Sequence, residues 1–286
     1  MTETSQLLQY ADMQRTFYER EAKRDPEQQV VGCYDYHENV PYETNLLYLY
    51  GDIRKPIFTD FGNRTAFDFA CGEGRMVRRM RRFFDKVDGA DLSETMIDLA
   101  RKRTPGSDFW VTDGMSTGAA PSAAYDFCYC TISMQHICVF ETRDRILRDM
   151  CRILKPDGQI TLQYLYSRAY PALPVTPVRS VSPDHSVQLF RNDKHHAKWF
   201  ENKTDAVSTN SDCDVVIGPG ELEIVYNYFR LYFELVDFWF YDISIGRDGL
   251  GQTRILPHIH PNSHISDEYH GTHFVYIHCA GKKYGG

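Results

Sequence analysis

The sequence lacks the features that mark membrane-spanning, disulfide-bonded and nucleic-acid-binding proteins. No apolar run in its 286 residues reaches the roughly 18 positions that a transmembrane helix needs, and the polar, charged start is not typical of a signal peptide. The eight cysteines show no Cys-x-x-Cys spacing, which argues against a zinc site or a disulfide framework. The net charge of −7 disfavours binding to nucleic-acid phosphates. We therefore expect a cytoplasmic protein without a membrane or nucleic-acid partner; its oligomeric state is not indicated.

A glycine-rich turn carries the strongest signal that is present. Asp68 ends a short apolar stretch, Gly72 and Gly74 follow, and a helix-compatible segment comes next. This order of strand, turn and helix binds nucleotide-like ligands at the turn, where glycine lets the backbone approach because it has no Cβ. A dinucleotide fingerprint needs a small residue where this chain has Val77, and Asp68 would repel a pyrophosphate. A cationic nucleoside without phosphate, S-adenosylmethionine (SAM), fits these residues better than NAD(P), which remains the alternative.

Two further acids follow predicted strands. Asp91 ends the next apolar stretch, nineteen residues after Gly72, where a carboxylate can accept hydrogen bonds from ribose hydroxyls. Asp113 ends the strand after that and is placed to meet the adenine amino group. A lone Gly-x-Gly occurs by chance, but three acids in order at strand ends are a much stronger indication.

These motifs resemble those of the class I SAM-dependent methyltransferases. The matching stretches are Asp68-x-x-x-Gly72-x-Gly74, Gly89-Ala90-Asp91-Leu92-Ser93 with Met96, Thr112-Asp113-Gly114, Tyr125-Asp126, Gln135-His136-Ile137 and Leu154-Lys155-Pro156-Asp157-Gly158. The resemblance covers residues 60–167 well and departs from the family at Ala70, where glycine is common. It implies SAM contacts at Asp68, Ala70, Cys71, Gly72, Gly74, Arg75, Asp91, Leu92, Met96, Asp113, Gly114, Met134 and Gln135.

Alternating strand and helix patterns predict an α/β fold with a doubly wound parallel sheet. Strands are expected at 65–69, 86–91, 108–112, 125–131, 158–166, 233–243 and 273–280, and helices at 74–84, 93–103, 141–154 and 220–231. The resemblance implies a Rossmann-like, seven-stranded sheet whose last two strands form an antiparallel pair. Residues 1–60 would then be an N-terminal helical lid, 61–167 the SAM-binding core, 168–220 an inserted substrate cap, and 221–286 the completion of the sheet.

Five arginines lie close together in the predicted helix after the glycine turn: Arg75, Arg78, Arg79, Arg81 and Arg82. Charge runs usually face water, so a solvated helix face is favoured over a patch for an acidic substrate.

His136 is the predicted catalytic residue. It follows the fourth predicted strand, where the sheet meets the expected ligand crevice. A hydroxyl acceptor needs a general base near neutral pH, and histidine is the usual choice, whereas an amine can attack in its neutral form. The alternative is that His136 only packs against the next helix.

The candidate acceptor contacts lie mostly outside the core. They are the tyrosine-rich end of the lid, the end of the fifth strand, the predicted cap and a histidine-rich loop, represented by Tyr34, Tyr166, Arg168, His195, His196, Trp199, His258 and His260. His258-x-His260 could hold a divalent metal, but a polar lid is favoured and no metal is predicted.

The sequence thus predicts a SAM-dependent methyltransferase that acts on a nitrogen or oxygen atom of a small metabolite, sugar or natural product. The alternatives are a peptide, protein or nucleotide methyltransferase, and a non-catalytic SAM-binding regulatory module.

Overall fold

The computed structural model describes residues 3–24, 42–49, 55–137, 139–167, 216–217, 222–242 and 272–283. The helices in this part of the chain are α1 (Glu3–Arg24), α2 (Tyr42–Leu47), α3 (Arg75–Met80), α4 (Glu94–Arg103), α5 (Phe140–Ile153) and α6 (Leu222–Phe229). The strands are β1 (Tyr48–Leu49), β2 (Lys55–Pro56), β3 (Thr65–Phe69), β4 (Lys86–Asp91), β5 (Phe109–Val111), β6 (Tyr125–Cys130), β7 (Leu154–Ser167), β8 (Val216–Ile217), β9 (Phe233–Asp242) and β10 (Thr272–Lys282). Within the described helices, none has the length and apolar character needed to cross a membrane.

One sheet organises the molecule. Its strand order is β5-β4-β3-β6-β7-β10-β9. The five strands from β5 to β7 run parallel, and β10 is antiparallel to both β7 and β9. The predicted Rossmann-like fold with a C-terminal antiparallel strand pair is therefore confirmed. The strand order reverses between β3 and β6, and in open α/β sheets ligands bind at the carboxyl ends of the strands beside such a point.

The central strand β6 is buried along its whole length, as its nearly continuous apolar sequence predicted. Phe127 of this strand stacks on Phe84 at 5.8 Å between ring centroids on the side of α3. On the opposite face, Cys128 and Cys130 are buried in a second cluster that includes residues of α1, α5 and α6. Both faces of the sheet are therefore covered by helices, which leaves the strand ends as the place for a ligand.

Several element boundaries differ from the sequence-based expectation. Helix α3 ends at Met80 rather than near residue 84, because Phe83 and Phe84 turn back to donate to the Met80 carbonyl. Strand β7 begins at Leu154, which already pairs with Tyr125 of β6. A short strand that the sequence did not predict, β8, runs parallel to Leu165 of β7.

Helix α1 packs against the sheet through residues at helical spacing. Leu7, Tyr10 and Gln14 are buried, whereas Leu8 is 54% exposed. Leu8 points away from this buried face, because consecutive residues point about a quarter-turn apart on a helix.

A carboxylate holds α1 to the beginning of α4. Glu19 accepts hydrogen bonds from Ser93 Oγ at 2.6 Å and from the Thr95 amide at 3.3 Å. Burial alone would raise the pKa of Glu19, but these hydrogen bonds outweigh it and lower the pKa to about 2. Ser93 also accepts from the Met96 amide, which makes it the N-cap that the sequence predicted. The contact between α1 and α4 is therefore ionised and intact at neutral pH.

The arginine cluster mainly holds α3 against its neighbours. Arg79 and Arg82 both donate to the buried carboxylate of Glu43 in α2, with Arg79 Nε 2.6 Å from Oε1. Arg78 forms an ion pair with Glu73 at 2.8 Å. A solvated helix face is therefore the wrong interpretation for Arg79, because α2 covers it. Two arginines of the cluster fix the position of α2 instead.

Gly89→Ala should destabilise the protein. An added Cβ would lie 2.8 Å from the Cβ and 2.9 Å from the Sγ of Cys71, so the glycine turn would have to shift. We expect the free energy of unfolding in urea to fall by about 1–3 kcal/mol, which is typical of overpacking. Gly62→Ala is the control, because its Cβ would lie 3.4 Å from the nearest atom, at ordinary contact distance. Equal stability of the two variants would contradict the packing described.

Candidate active site

A cavity of about 500 Å³ lies at the carboxyl ends of the parallel strands. Its lining comes from α1, from the glycine turn, from the segments that follow β4, β5 and β6, and from the ends of β7 and β10. These residues are Gln14, Tyr18, Asp68, Phe69, Ala70, Cys71, Gly72, Glu73, Arg75, Met76, Asp91, Leu92, Thr112, Gly114, Thr131, Ile132, Ser133, Gln135, His136, Ile137, Leu165 and Phe274.

The glycine turn is built from left-handed backbone conformations at Ala70 (φ 60°), Gly72 (φ 54°) and Gly74 (φ 83°). A Cβ on Gly72 would meet no atom within 4 Å, so this glycine leaves open space beside the cavity. A Cβ on Gly74 would lie 3.1 Å from Thr104 Oγ1. Gly74 therefore serves close packing against the end of α4 and does not line the cavity, contrary to its predicted cofactor contact.

Asp91 is held in a fixed orientation at the end of β4. One carboxylate oxygen accepts from the Gly72 amide at 2.9 Å, and the other accepts from the Ser93 amide at 2.9 Å. A carboxylate offers about four lone pairs, so each oxygen can accept a further hydrogen bond from a ligand. Burial raises the pKa of Asp91, although these two amides oppose the shift. The site offers paired acceptors, which suit the two hydroxyls of a ribose.

Two buried side chains at this cavity, an acid and an arginine, each have one polar atom without a hydrogen-bond partner within the described residues. Asp68 is 2% exposed and its Oδ2 has no hydrogen bond within the described residues, and the same holds for Nη1 of Arg75, which is 8% exposed. Burial raises the pKa of Asp68 well above its usual range, although the positive charge of Arg75 opposes the shift. The guanidinium of Arg75 lies over the Tyr42 ring at 5.6 Å. An ammonium and a carboxylate on one ligand would satisfy both groups, and the methionyl end of SAM carries both.

Most of the predicted cofactor residues meet in this cavity. Asp68, Ala70, Cys71, Gly72, Arg75, Asp91, Leu92, Gly114 and Gln135 all line it. Met96 and Met134 do not, because they are almost fully buried and belong to the hydrophobic interior. The neighbouring residues reach the cavity in their place: Leu92 before the α4 cap, and Gln135 in the 3₁₀ turn Met134–His136.

Asp113 is also outside the cavity lining. Its Oδ1 accepts from the Met115 amide at 2.9 Å and from Ser116 Oγ at 2.8 Å, so the exposed carboxylate stabilises a local turn. Thr112 and Gly114 on either side line the cavity instead. The predicted contact between Asp113 and an adenine amino group is therefore not supported by its position.

His136 lines the cavity at the end of the 3₁₀ turn that follows β6. Its carbonyl oxygen accepts from Gln14 Nε2 of α1 at 3.0 Å, which joins this turn to α1. The neighbouring Gln135 is 4% exposed, and its Oε1 has no partner among the described residues. Gln135 and His136 therefore line the cavity from the segment that follows β6.

Tyr166 is not placed in the cavity. Side chains of a strand alternate between faces, and Leu165 is the residue of this pair that lines the cavity, whereas Tyr166 is buried in the core on the other face. The other predicted acceptor contacts, Tyr34, Arg168, His195, His196, Trp199, His258 and His260, lie outside the described residues. Within the part of the chain that is described, no group of three histidine, cysteine, aspartate or glutamate side chains could hold a metal.

The sequence analysis missed cavity residues that depend on long-range packing. Gln14 and Tyr18 reach the cavity from α1, and Phe274 reaches it from β10. The spacing of Tyr10, Gln14 and Tyr18 along one helical face is a signal that could have identified the first two. The position of Phe274 follows from its pairing with Leu165, which no local pattern reveals.

Comparison with known proteins assigns the core to a family. Residues 67–162 match a family described as a methyltransferase domain. No curated protein sequence gives a significant match. The matched segment runs from β3 into β7 and so contains most of the cavity lining.

Solved structures share the fold at low sequence identity. Phosphoethanolamine N-methyltransferase 1 of Haemonchus contortus, solved with phosphoethanolamine and S-adenosylhomocysteine, is 13% identical, with 98% of this chain and 50% of that chain covered and a TM-score of 0.53. A putative methyltransferase of Haloferax volcanii, solved with the Trm112 methyltransferase activator, is 14% identical, with 94% and 99% covered and a TM-score of 0.50.

Four other matched structures are covered over only 42–49% of their own length, so the chain spans less than half of each. One of them is a sugar N-methyltransferase from Streptoalloteichus, 22% identical over 38% of this chain and 44% of that chain, with a TM-score of 0.35. The family match covers residues 67–162, less than half of the 286-residue chain, and this segment contains the parallel strands β3 to β6 and the beginning of β7.

Proposed function

We propose that the whole protein is an enzyme that transfers a methyl group from SAM to a nitrogen or oxygen atom of a small-molecule acceptor. The observation that carries this proposal is the composition of the cavity. Its glycine-turn end offers acids and an arginine that suit SAM, and it continues past His136 to the apolar Leu165 and Phe274. One cavity therefore joins groups that suit the donor to apolar residues that would contact the acceptor.

The donor end would bind SAM through charges and backbone. Asp91 would accept hydrogen bonds from the ribose hydroxyls, Asp68 would face the ammonium, and Arg75 would bind the carboxylate. Gly72 lets the chain approach because no Cβ fills the space beside it. Bound SAM supplies the electrophilic methyl group and its own leaving group. The remaining task of the protein is to orient two reactants, which can contribute roughly 7–11 kcal/mol to catalysis.

The acceptor end favours a small molecule. A cavity of about 500 Å³ falls in the range of small-molecule sites, and it must hold the cofactor as well as the acceptor. Gln14 and Tyr18 of α1 lie over it, whereas a peptide or nucleic acid would need an open groove. Ile132, Ile137 and Leu165 would exclude water from the reacting atoms. If the acceptor is a hydroxyl, His136 would take its proton.

The lid and cap roles of 1–60 and 168–220 belong to the same proposal. Within the first segment, α1 contributes cavity residues and is held to α4 by Glu19. The second segment leaves the sheet at Ser167 and returns as β8, where Val216 pairs with Leu165. Ser167, just before that segment, and Val216 within it therefore lie near Leu165 at the acceptor end of the cavity, which supports a role over the acceptor.

Thermal unfolding with added S-adenosylhomocysteine, SAM, NADH or ATP tests the cofactor assignment. S-adenosylhomocysteine at 100 times its dissociation constant should stabilise the protein by about 2.7 kcal/mol. Asp91→Ala should abolish this stabilisation, whereas Asp113→Ala should keep it, because only the first of these two strand-end acids lines the cavity. A response to NADH alone, or equal losses in the two variants, would contradict the proposal.

The affinity for SAM should rise with pH. Burial raises the pKa of Asp68, so the ligand-free protein keeps this carboxyl protonated to a higher pH than usual. The ammonium of SAM favours the carboxylate, so binding must release that proton. The association constant should therefore increase by up to about ten-fold per pH unit until the raised pKa is passed, and then level off.

Calorimetric titrations at several pH values measure this dependence, and Asp68→Asn is the control. The variant should bind SAM more weakly, and its association constant should lose the part of the pH dependence that Asp68 causes. Any pH dependence that remains reports Asp91, whose pKa is also raised. Identical slopes in the variant and the natural protein would show that Asp68 does not bind the cation.

His136→Ala should lower turnover by at least about 100-fold on a hydroxyl acceptor, because a positioned general base contributes that much or more. The dissociation constant of S-adenosylhomocysteine should stay unchanged, since His136 stands on the wall away from the glycine turn. Formation of S-adenosylhomocysteine with an acceptor found by screening is the measurement, and Ser133→Ala, another polar lining residue, is the control. Unchanged turnover would remove His136 from the mechanism.

A further inference from the structure

We propose that the side-chain amide of Gln163 in β7 binds the acceptor, and that this acceptor carries a neutral group with a hydrogen-bond donor beside a hydrogen-bond acceptor, such as a carboxamide or lactam. The proposal rests on the proposed function and names the chemical class of its substrate. It is carried by the burial of Gln163, by its missing partners and by its place in the sheet.

Gln163 is completely buried, and neither its Nε2 nor its Oε1 has a hydrogen-bond partner within the described residues. Glutamine is mostly an exposed residue in folded proteins, and a buried amide without partners is unfavourable. Gln159, on the same strand, has the partner that Gln163 lacks, since its Nε2 donates to the Ile57 carbonyl at 3.2 Å. Of these two glutamines of β7, only Gln163 therefore buries its amide without a partner.

The neighbours of Gln163 on its own strand place it at the boundary of the cavity. Side chains two residues apart share a face of the sheet, so Thr161, Gln163 and Leu165 point to the same side. Thr161 donates to the Leu46 carbonyl of α2 and contacts the His278 ring, so α2 covers this position. Leu165 lines the cavity. Gln163 stands between them, one step along this face from Leu165. It is not itself a lining residue, so an acceptor must reach its amide past the residues that line the cavity.

The adjacent strands give the same location. Across β10, Gln163 pairs with Tyr276, and the next pair on this face joins Leu165 to Phe274, which lines the cavity. On the other side, Cys130 of β6 pairs with Leu162, which brings Thr131 level with Gln163, and Thr131 also lines the cavity. Cavity-lining residues therefore flank Gln163 along its own strand and on both neighbouring strands.

The chemistry of this position selects a neutral, paired group. A glutamine amide offers one carbonyl acceptor and an NH₂ donor in one plane. Its neighbours on this face, Thr161, Leu165 and Tyr276, carry no charge, and an unpaired charge in such surroundings is strongly disfavoured. A carboxamide or lactam matches the amide with two parallel hydrogen bonds, whereas a carboxylate or a simple hydrocarbon satisfies only one half or neither.

Binding of small probes to the protein loaded with S-adenosylhomocysteine tests the proposal. The probes are benzamide and 2-pyridone, with methyl benzoate and benzoate as analogues that lack the donor. Calorimetry or ligand-observed NMR should detect the two amides more strongly than the two analogues. Gln163→Leu should weaken amide binding about ten-fold or more, because two hydrogen bonds are lost. Gln159→Leu changes the matched glutamine that already has a hydrogen-bond partner, and it should leave amide binding unchanged.

Gln163→Met provides a second variant should Gln163→Leu not fold, because it keeps the side-chain length and removes both the donor and the acceptor of the amide; it should lose amide binding too. Equal amide binding by the natural protein and either folded variant would overturn the proposal, as would no preference for amides over their analogues. Failure to bind S-adenosylhomocysteine at all would contradict the proposed function itself, and this proposal with it.

Discussion

The carboxylate of Asp91 joins the parts of the site that the rest of the structure arranges. Its two oxygens accept from the Gly72 amide in the turn after β3 and from the Ser93 amide at the beginning of α4. Ser93 in turn caps α4 and donates its hydroxyl to Glu19 of α1. A continuous set of hydrogen bonds therefore runs from the glycine turn through Asp91 to the helix that covers the cavity. A change at this carboxylate would alter the turn, the start of α4 and the position of α1 together.

A second set of charges acts on the opposite side of the turn. Helix α3 presents Arg75 to the cavity and, one helical turn later, Arg79 to Glu43 of α2. The ring of Tyr42 in α2 lies near both guanidinium groups, at 5.6 Å and 5.9 Å. The ion pairs of Glu43 are partly buried, so removal of one partner would leave the other charge without compensation. The arginine that lines the cavity and the arginine that positions α2 therefore stand on successive turns of one short helix.

The sequence predicts the parts of this molecule that are encoded locally. The order of the strands, the acids at the ends of β3 and β4, and the Ser93 cap follow from short patterns. Asp113 and Asp91 both end strands, yet only Asp91 reaches the cavity, because Asp113 bonds to its own turn. Leu165 and Tyr166 differ by a single position, and the alternation of a strand places them on opposite faces. The cavity residues that come from α1 and β10 depend on how the helix docks on the sheet and on the register in which the strands pair. Short sequence patterns encode neither.

The buried polar groups of the cavity imply that the folded protein is incomplete without its ligands. Asp68 and Arg75 each bury a polar atom that has no hydrogen-bond partner within the described residues. The carboxyl of Asp68 holds its proton more tightly in the folded than in the unfolded chain, so its contribution to stability falls as pH rises above its ordinary pKa. A cationic ligand reverses this effect, because it stabilises the carboxylate that burial disfavours. The same groups that reduce the stability of the ligand-free protein are therefore the ones that would supply affinity for a ligand at the glycine-turn end of the cavity.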